Sequence, residues 1–431
     1  MKLYQFQEDV LKQTEGMNKV AYYLDMGLGK TFVGSEKMMI LGSSLNLVVC
    51  QKSKVADWVN HFVDNYPEYK TYDLTTWKPK NYFVFDSEHW MTCEKRIFVI
   101  NYELAWRRKH LLNLENFTLM LDESSLIQNS SAKQTKFILK MHPKNVILLS
   151  GTPVGGKYEN LWTQGHLLGW EISEKLYNHQ YINWKSIEAG GAIHKIVDKD
   201  DPYKNIDRLK MKFREHGAVF LKTDEVFDLP EQTFINITVE SSKEYRKFMK
   251  QGVLYMTDKE GNEVELLGDT TLTKMLNARM LCGIYSKDKQ DAFIDLLEST
   301  QDRLIVFYNF TEEMKILEGI CQKYNRPVSV ICGFRKDLKN YEAEDNSVTL
   351  IQYQAGSMGL NLQKANKIVY FTLPLSSEKF EQSKKRIHRI GQEQSCFYYQ
   401  MICKGSIEEE ILQTLQERKD YTDALFMDKG H

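Results

Sequence analysis

"LDMGLGKT", Leu24 to Thr31, is the stretch on which the reading of the chain turns. An apolar run precedes it and a helix-like segment follows. Gly27 and Gly29 let the backbone approach a phosphate, and the N–H groups at a helix start would cradle it. Lys30 would meet the β- and γ-phosphates of ATP, and Thr31 would hold Mg²⁺. The complete phosphate-loop pattern has glycine in the first position, where Leu24 stands. Alone, Gly-Lys-Thr after a strand fits an ordinary loop equally well.

"LMLDESSL" (119–126) shifts the balance. An apolar strand ending in Asp-Glu sets carboxylates at the carboxyl edge of a sheet, where an α/β domain binds its nucleotide. Asp122 would take the Mg²⁺ through water, and Glu123 would polarise the attacking water. The ordinary alternative is an acidic strand-end turn. A Gly-Lys-Thr loop upstream in the same α/β unit favours an ATP site.

Outward from these two stretches, β-branched runs alternate with segments of helical period. "LNLVVC" (45–50), "RIFVI" (96–100), "FTLML" (117–121) and "NVILLS" (145–150) read as strands. Val55, Trp58, Val59 and Phe62 fall on one helical face between the first two. The pattern returns in "RLIVFY" (303–308), "VSVIC" (328–332), "VTLIQY" (348–353) and "KIVYF" (367–371), with a helix over 311–324. This alternation predicts α/β architecture with two parallel-sheet lobes. The expected division is 1–154 for the first lobe, 155–222 for a helical insertion and linker, and 223–431 for the second lobe. The second lobe would carry its own helical insertion at 241–300. The passage between the lobes runs near "LKTDEVFDLPEQ" (221–232), where Pro230 marks a break in regular structure. In the first insertion, Trp162, Trp170 and Trp184 read as core packing in preference to base stacking.

Composition sets the class. Of 431 residues 42% are hydrophobic and 27% charged, as in globular domains. Lys plus Arg is 57 against 58 for Asp plus Glu, so nucleic-acid binding would need a local basic surface. The seven cysteines lack a C-x-x-C pair and read as reduced cytosolic thiols. Neither a membrane span nor a signal peptide is expected.

One local basic surface is obvious. "QSKKRIHRIGQEQ" (382–394) packs Lys384, Lys385, Arg386, His388 and Arg389 together. A solvated or nucleic-acid-binding face is the plain reading. The sharper one has Arg386 and Arg389, at i and i+3 on one helical face, reaching the γ-phosphate in trans. Lys384 and Lys385 would then be solvated or close to DNA.

In order along the chain, these motifs resemble a superfamily-two helicase motor of the SWI/SNF type. "LYQFQ" (3–7) is similar to its adenine-reading motif, with Gln7 as the glutamine. "DMGLGKT" resembles motif I, "LVVCQKSKVADWVNHF" (47–62) motif Ia, and "VINYELAW" (99–106) the strand and turn after it. "DESSLIQNSSAK" (122–133) resembles motif II, "LLSGTPVGGKYENLW" (148–162) motif III, and "RLIVFYNFTEEMKIL" (303–317) motif IV. "QAGSMGLNLQKANKIVYF" (354–371) resembles motif V, and "RIHRIGQ" (386–392) is the ending most specific to this branch.

The resemblance implies two RecA-like lobes that meet across ATP and Mg²⁺, with Gly359 also at the nucleotide. Ser150 and Thr152 would couple ATP state to motion. It implies an ATP hydrolase that translocates on, remodels or unwinds duplex or branched DNA in replication, recombination or repair. A remodeller of DNA-bound protein and a non-hydrolysing ATP-dependent DNA clamp are the alternatives. DNA contacts would fall on Lys52, Ser53 and Asn101. The "RRKH" patch with Arg107 and Arg108 fits a further contact and a solvated loop equally. A monomeric cytoplasmic motor of a bacterial or phage-infected cell is expected, with replication or recombination proteins as partners. The length leaves little room for a chromatin-reading domain.

The chain departs from the pattern in three places. Ser125 replaces a histidine that normally connects the nucleotide site to motif III. Tyr353 and Gln354 stand where threonine and a basic residue are usual. "FLKTDE" (220–225) stands where two arginines are expected near the linker.

Overall fold

The computed structural model describes residues 2–76, 95–189, 192–198, 200–257, 263–355 and 360–426. Cys93, the Gly190-Gly191 pair and Gly359 lie outside the described residues. The chain divides into two compact units, Met1–Val226 with Asp420–His431, and Phe227–Lys419.

The strands of the first unit are β1 (Lys19–Leu24), β2 (Leu45–Cys50), β3 (Tyr69–Asp73), β4 (Lys95–Asn101), β5 (Thr118–Asp122), β6 (Asn145–Ser150), a hairpin of β7 (Trp184–Ala189) and β8 (Ala192–Val197), and β9 (Ala218–Leu221). Its helices are α1 (Gln5–Gln13), α2 (Lys30–Leu41), α3 (Val55–Asn65), α4 (Tyr102–Ala105), α5 (Lys133–Leu139), α6 (Trp162–Leu167), α7 (Glu174–Tyr181) and α8 (Ile206–Glu215). Seven strands form one sheet in the order β3-β4-β2-β5-β6-β1-β9. Every pairing in it is parallel. Strands covered on both faces need near-continuous apolar sequence, and β1, β2, β5 and β6 supply it. Parallel pairing brings the carboxyl ends of β4, β2, β5, β6 and β1 to one edge, in that order.

The second unit holds β10 (Gln232–Glu240), a hairpin of β11 (Val253–Thr257) and β12 (Glu263–Leu267), β13 (Leu304–Tyr308), β14 (Val328–Ile331), β15 (Lys336–Asp337), β16 (Val348–Gln352), β17 (Lys367–Tyr370) and β18 (Cys396–Lys404). Its helices are α9 (Lys243–Gln251), α10 (Thr271–Gly283), α11 (Lys287–Ser299), α12 (Thr311–Lys323), α13 (Lys339–Ala343) and α14 (Ser377–Lys384), and α15 (Ile407–Phe426) begins in it. The sheet order is β10-β18-β17-β13-β16-β14-β15. Only the β14–β15 pair in it is antiparallel. In the core of this unit, the Lys289 ammonium meets both oxygens of Glu408 at 2.6 Å.

Both insertions differ from the helical expectation. The first contains the β7–β8 hairpin, and its last strand, β9, joins the edge of the main sheet beside β1. The second contains the β11–β12 hairpin among its helices. Trp170 packs edge-on against Tyr177, Tyr181 and Phe213. Trp162 donates its indole N–H to the Ile172 carbonyl. Trp184, by contrast, stands on the hairpin and is 41% exposed.

Candidate nucleotide site and nucleic-acid surface

β1 ends at Leu24 and α2 starts at Lys30, so the glycine loop spans a strand end and a helix start. Gly29 is the N-cap of α2 in the left-handed region, at φ 73°. A Cβ there would stand 2.3 Å from Gln7 Nε2, so glycine serves both the turn and the close approach. Gln7 is buried. Its Oε1 accepts from Tyr4 N at 3.0 Å and its Nε2 donates to the Leu28 carbonyl at 3.0 Å. The Leu3–Gln7 segment is thereby tied to the glycine loop. Lys30 Nζ lies over the same loop, donating to the Leu24 carbonyl at 3.0 Å. Gly151, after β6, lies close by: a Cβ there would be 3.2 Å from Nζ, and the lysine tip would have to give by a few tenths of an ångström.

Asp122 ends β5, and burial pushes its carboxyl above the ordinary range. The Trp58 hydrogen bond and the charges of Lys30 and Lys54 oppose that rise. Trp58 Nε1 donates to Oδ2 at 2.8 Å. Thr31 and Asp122 offer hard oxygen donors, the set Mg²⁺ takes. A carboxylate has about four acceptor sites, so the indole leaves room for a water of the metal shell. Glu123 follows in the left-handed region, at φ 52° and ψ 61°. A non-glycine residue holds that conformation only where its surroundings impose it. The Tyr102 hydroxyl donates to the Asp122 carbonyl at 2.9 Å and the Glu123 carbonyl at 3.5 Å.

Sequence reasoning missed Gln164, a fully buried residue of α6. Its Oε1 accepts from Ser124 Oγ at 2.8 Å and from the Tyr23 hydroxyl at 2.9 Å. Its Nε2 donates to the Pro153 carbonyl at 2.8 Å. One amide therefore joins β1, the turn after Glu123 and the loop after β6. Ser150 Oγ accepts from Thr152 N at 3.1 Å within that loop. No signal in the sequence separates Gln164 from a surface glutamine. Thr223 was also missed. It lies in the stretch 220–225 where two arginines were expected, and its hydroxyl donates to Asp25 Oδ2 of the glycine loop at 3.0 Å.

The DNA candidates divide by exposure. Lys52, Ser53 and Arg107 are exposed, and Arg108 is half-buried. Asn101 is 2% exposed, and its amide donates to Glu103 Oε2 at 2.6 Å. As arranged, it faces inward and does not present a direct contact. The Arg107 guanidinium and the Lys133 ammonium each lie over the Trp106 ring, at 5.2 and 5.5 Å.

In the second unit the basic segment departs from the helical expectation. α14 ends at Lys384, so Arg386 and Arg389 stand on successive turns. Spacing of i and i+3 fits turns as well as helix. Ile387 is fully buried, and Gln392 Nε2 donates to the carbonyls of Ala365, Gln363 and Ile387, which draws the chain inward. Arg386 is 5% exposed, with Nη1 at 3.5 Å from the Leu360 carbonyl. Arg389 is half-buried, and burial lowers its guanidinium from the ordinary value. Lys384 is buried, against the expectation of a solvated cation. It pairs with Glu381 at 2.5 Å and lies over the rings of Phe380 and Phe234. Tyr353 faces inward, stacked on Phe307 and donating to the Thr372 carbonyl. Beside it, Arg279, Asn309, Gln352, Gln354, Ser376 and Lys379 line a cleft of about 210 Å³.

A family model described as the SNF2-related domain matches residues 23–286. The chain belongs to the SNF2-related family. The helicase conserved C-terminal domain matches residues 288–391. As an SNF2-related ATPase it is similar to the uncharacterized ATP-dependent helicase YqhH of Bacillus subtilis. The two are 24% identical over 94% of this chain and 76% of that protein. It is 22% identical to the ISWI chromatin-remodeling complex ATPase ISW1 of Saccharomyces cerevisiae, over 93% of this chain and 38% of that one. It is 23% identical to the putative ATP-dependent helicase/translocase YwqA of Bacillus subtilis, over 73% of this chain. The SNF2-related chain thus spans little more than a third of ISW1 and of YwqA, at 38% and 36% of their lengths. The Sulfolobus solfataricus SWI2/SNF2 ATPase core in complex with dsDNA aligns with a TM-score of 0.45 and 18% identity, covering 98% of this chain and 92% of that one.

Proposed function

We propose that this SNF2-related ATPase is a DNA-stimulated motor that couples ATP hydrolysis to movement on duplex or branched DNA, in replication, recombination or repair. The observation that carries the reading is the shared sheet edge. The phosphate loop, Asp122, Glu123 and the exposed cations Lys52 and Arg107 all follow carboxyl ends of one parallel sheet. ATP would sit on the Gly27–Thr31 loop with Gln7 at the adenine. Lys30 would face the β- and γ-phosphates. Thr31 and Asp122 would hold Mg²⁺, which neutralises phosphate charge when bound. Glu123 would orient the attacking water. Arg386 and Arg389 would serve the γ-phosphate from the second unit, and Gly359 would join the nucleotide contacts.

The nucleic acid would be held by its backbone, because movement along DNA needs contacts that every sequence offers and the phosphates carry no sequence information. The cleft around Arg279 and Lys379 supplies matching chemistry in the second unit. The relatives named as a helicase and as a helicase/translocase are in keeping with movement on DNA. The test is ATP turnover with single-stranded, duplex, forked and D-loop DNA and with RNA, side by side. Duplex or branched DNA should stimulate most. ATP binding without turnover would point instead to a clamp.

A further inference from the structure

Two side chains outside the phosphate loop end on Asp122. The Trp58 indole donates to the carboxylate, and the Tyr102 hydroxyl donates to the main-chain carbonyl of the same residue. They are 3% and 1% exposed. Each stands just inside a segment that carries exposed cations. Trp58 lies in the first turn of α3, directly after Lys52 and Ser53. Tyr102 opens α4, which leads to Arg107 and Lys109. β2 pairs with β4, with Cys50 opposite Asn101, so the two segments leave the sheet side by side. β5, which carries Asp122, pairs with the other side of β2.

Core packing explains the rings. Trp58 stacks on Phe62 at 5.5 Å, and Tyr102 belongs to the main core of the unit. Packing needs no donor, however, and phenylalanine would serve it at either position. It does not explain why two polar ends from two adjacent basic segments converge on one residue, the one before Glu123.

We infer that Trp58 and Tyr102 are positioning residues through which nucleic acid at the 52–54 and 102–109 segments sets the Asp122–Glu123 pair for hydrolysis. This rests on the ATP and DNA reading above. A phosphate backbone drawn to Lys52 and Arg107 favours one placement of the α3 start and of α4. The indole N–H and phenol O–H move with those helices, and Asp122 follows both. Glu123, held in a left-handed turn, is carried along. A ligand shifts such an equilibrium only by its differential contacts with the two arrangements, and these two donors are where the difference would be felt.

Tyr102→Phe deletes one hydroxyl and keeps the ring; Trp58→Phe deletes the N–H. The measurements are turnover without DNA and at saturating duplex, duplex affinity by fluorescence anisotropy, and affinity for a fluorescent ADP analogue with Mg²⁺. In each variant the ratio of DNA-stimulated to DNA-free turnover should fall on the order of tenfold, the scale of a coupling between sites. Affinities for duplex and nucleotide should stay within about twofold, well inside that coupling. A wild-type ratio in Tyr102→Phe overturns the inference, as does a loss of duplex affinity that matches the loss of stimulation. If wild type itself ignores every nucleic acid, the DNA reading falls and takes this inference with it. If wild type responds and both variants respond equally, the inference alone is wrong.

Discussion

Replacing Glu313 by glutamine should flatten the pH dependence of stability in the second unit. Glu313 is fully buried near the start of α12. Its Oε2 accepts from Asn309 N at 2.8 Å, Phe310 N at 3.1 Å and Thr372 Oγ1 at 3.0 Å. Its Oε1 packs against Gly283, where a Cβ would come within 1.9 Å. Burial raises the carboxyl from its ordinary 4.5 to about 7, overcoming those hydrogen bonds and the Lys289 charge. The folded state therefore holds the proton more tightly than the unfolded chain does. The stability this contributes is complete below pH 4.5 and is lost progressively as pH rises to about 7. A rise of that size corresponds to roughly 3 kcal/mol. Glutamine mimics the protonated acid and cannot ionise. Urea unfolding of both proteins from about pH 5 to pH 8 spans most of the window. Wild type should lose about 2 to 3 kcal/mol relative to Glu313→Gln across it. Parallel curves would refute the reasoning and mean that Glu313 ionises in place without cost.

Lys30→Ala should abolish turnover in a folded protein, whereas Glu123→Gln should bind ATP and stall; turnover beside nucleotide affinity separates the two. Gln164→Met leaves Tyr23, Ser124 and Pro153 with buried polar groups unpaired. It should cost about 2 to 4 kcal/mol in denaturant unfolding, with kcat falling more than ATP affinity. Arg389→Ala should cut turnover by about 10³ while nucleotide affinity survives, and Arg389→Lys should not rescue it, as lysine lacks the planar fork. Lys384→Ala removes the ammonium beside Glu381, which keeps contact with water, and should destabilise the second unit by about 1 kcal/mol, with DNA affinity little changed. Duplex affinity should fall steeply with salt, the slope in log units approaching 0.9 for each phosphate contacted.

Much of the architecture was legible because buried parallel strands require continuous apolar sequence. β2, β5, β6, β13 and β16 were readable for that reason. β10 was not: "QTFINITVE" alternates half-buried and exposed positions at the sheet edge and carries no core signature. β7 and β8 are mostly exposed, so nothing in their pattern distinguished a hairpin from polar helix. In the site, Lys30, Thr31, Asp122 and Glu123 were legible as strand-end motifs. The partners that hold them were not. Gln164, Trp58, Tyr102 and Thr223 act by long-range hydrogen bonds, which depend on where strands and helices meet and leave no local spacing to read. Lys384 misled for the same reason. Its charge looked solvated until α14 brought Glu381 and Phe380 beneath it and β10 brought Phe234.

On this reading one sheet edge links nucleic acid to ATP hydrolysis. Steady-state ATP turnover of wild type and Glu123→Gln, with and without duplex DNA at low and high salt, tests it most directly. Wild-type turnover should rise with duplex, the rise should fade with salt, and Glu123→Gln should stay inactive throughout while still binding ATP. Turnover that duplex DNA leaves unchanged at low salt, or that survives in Glu123→Gln, would contradict the account.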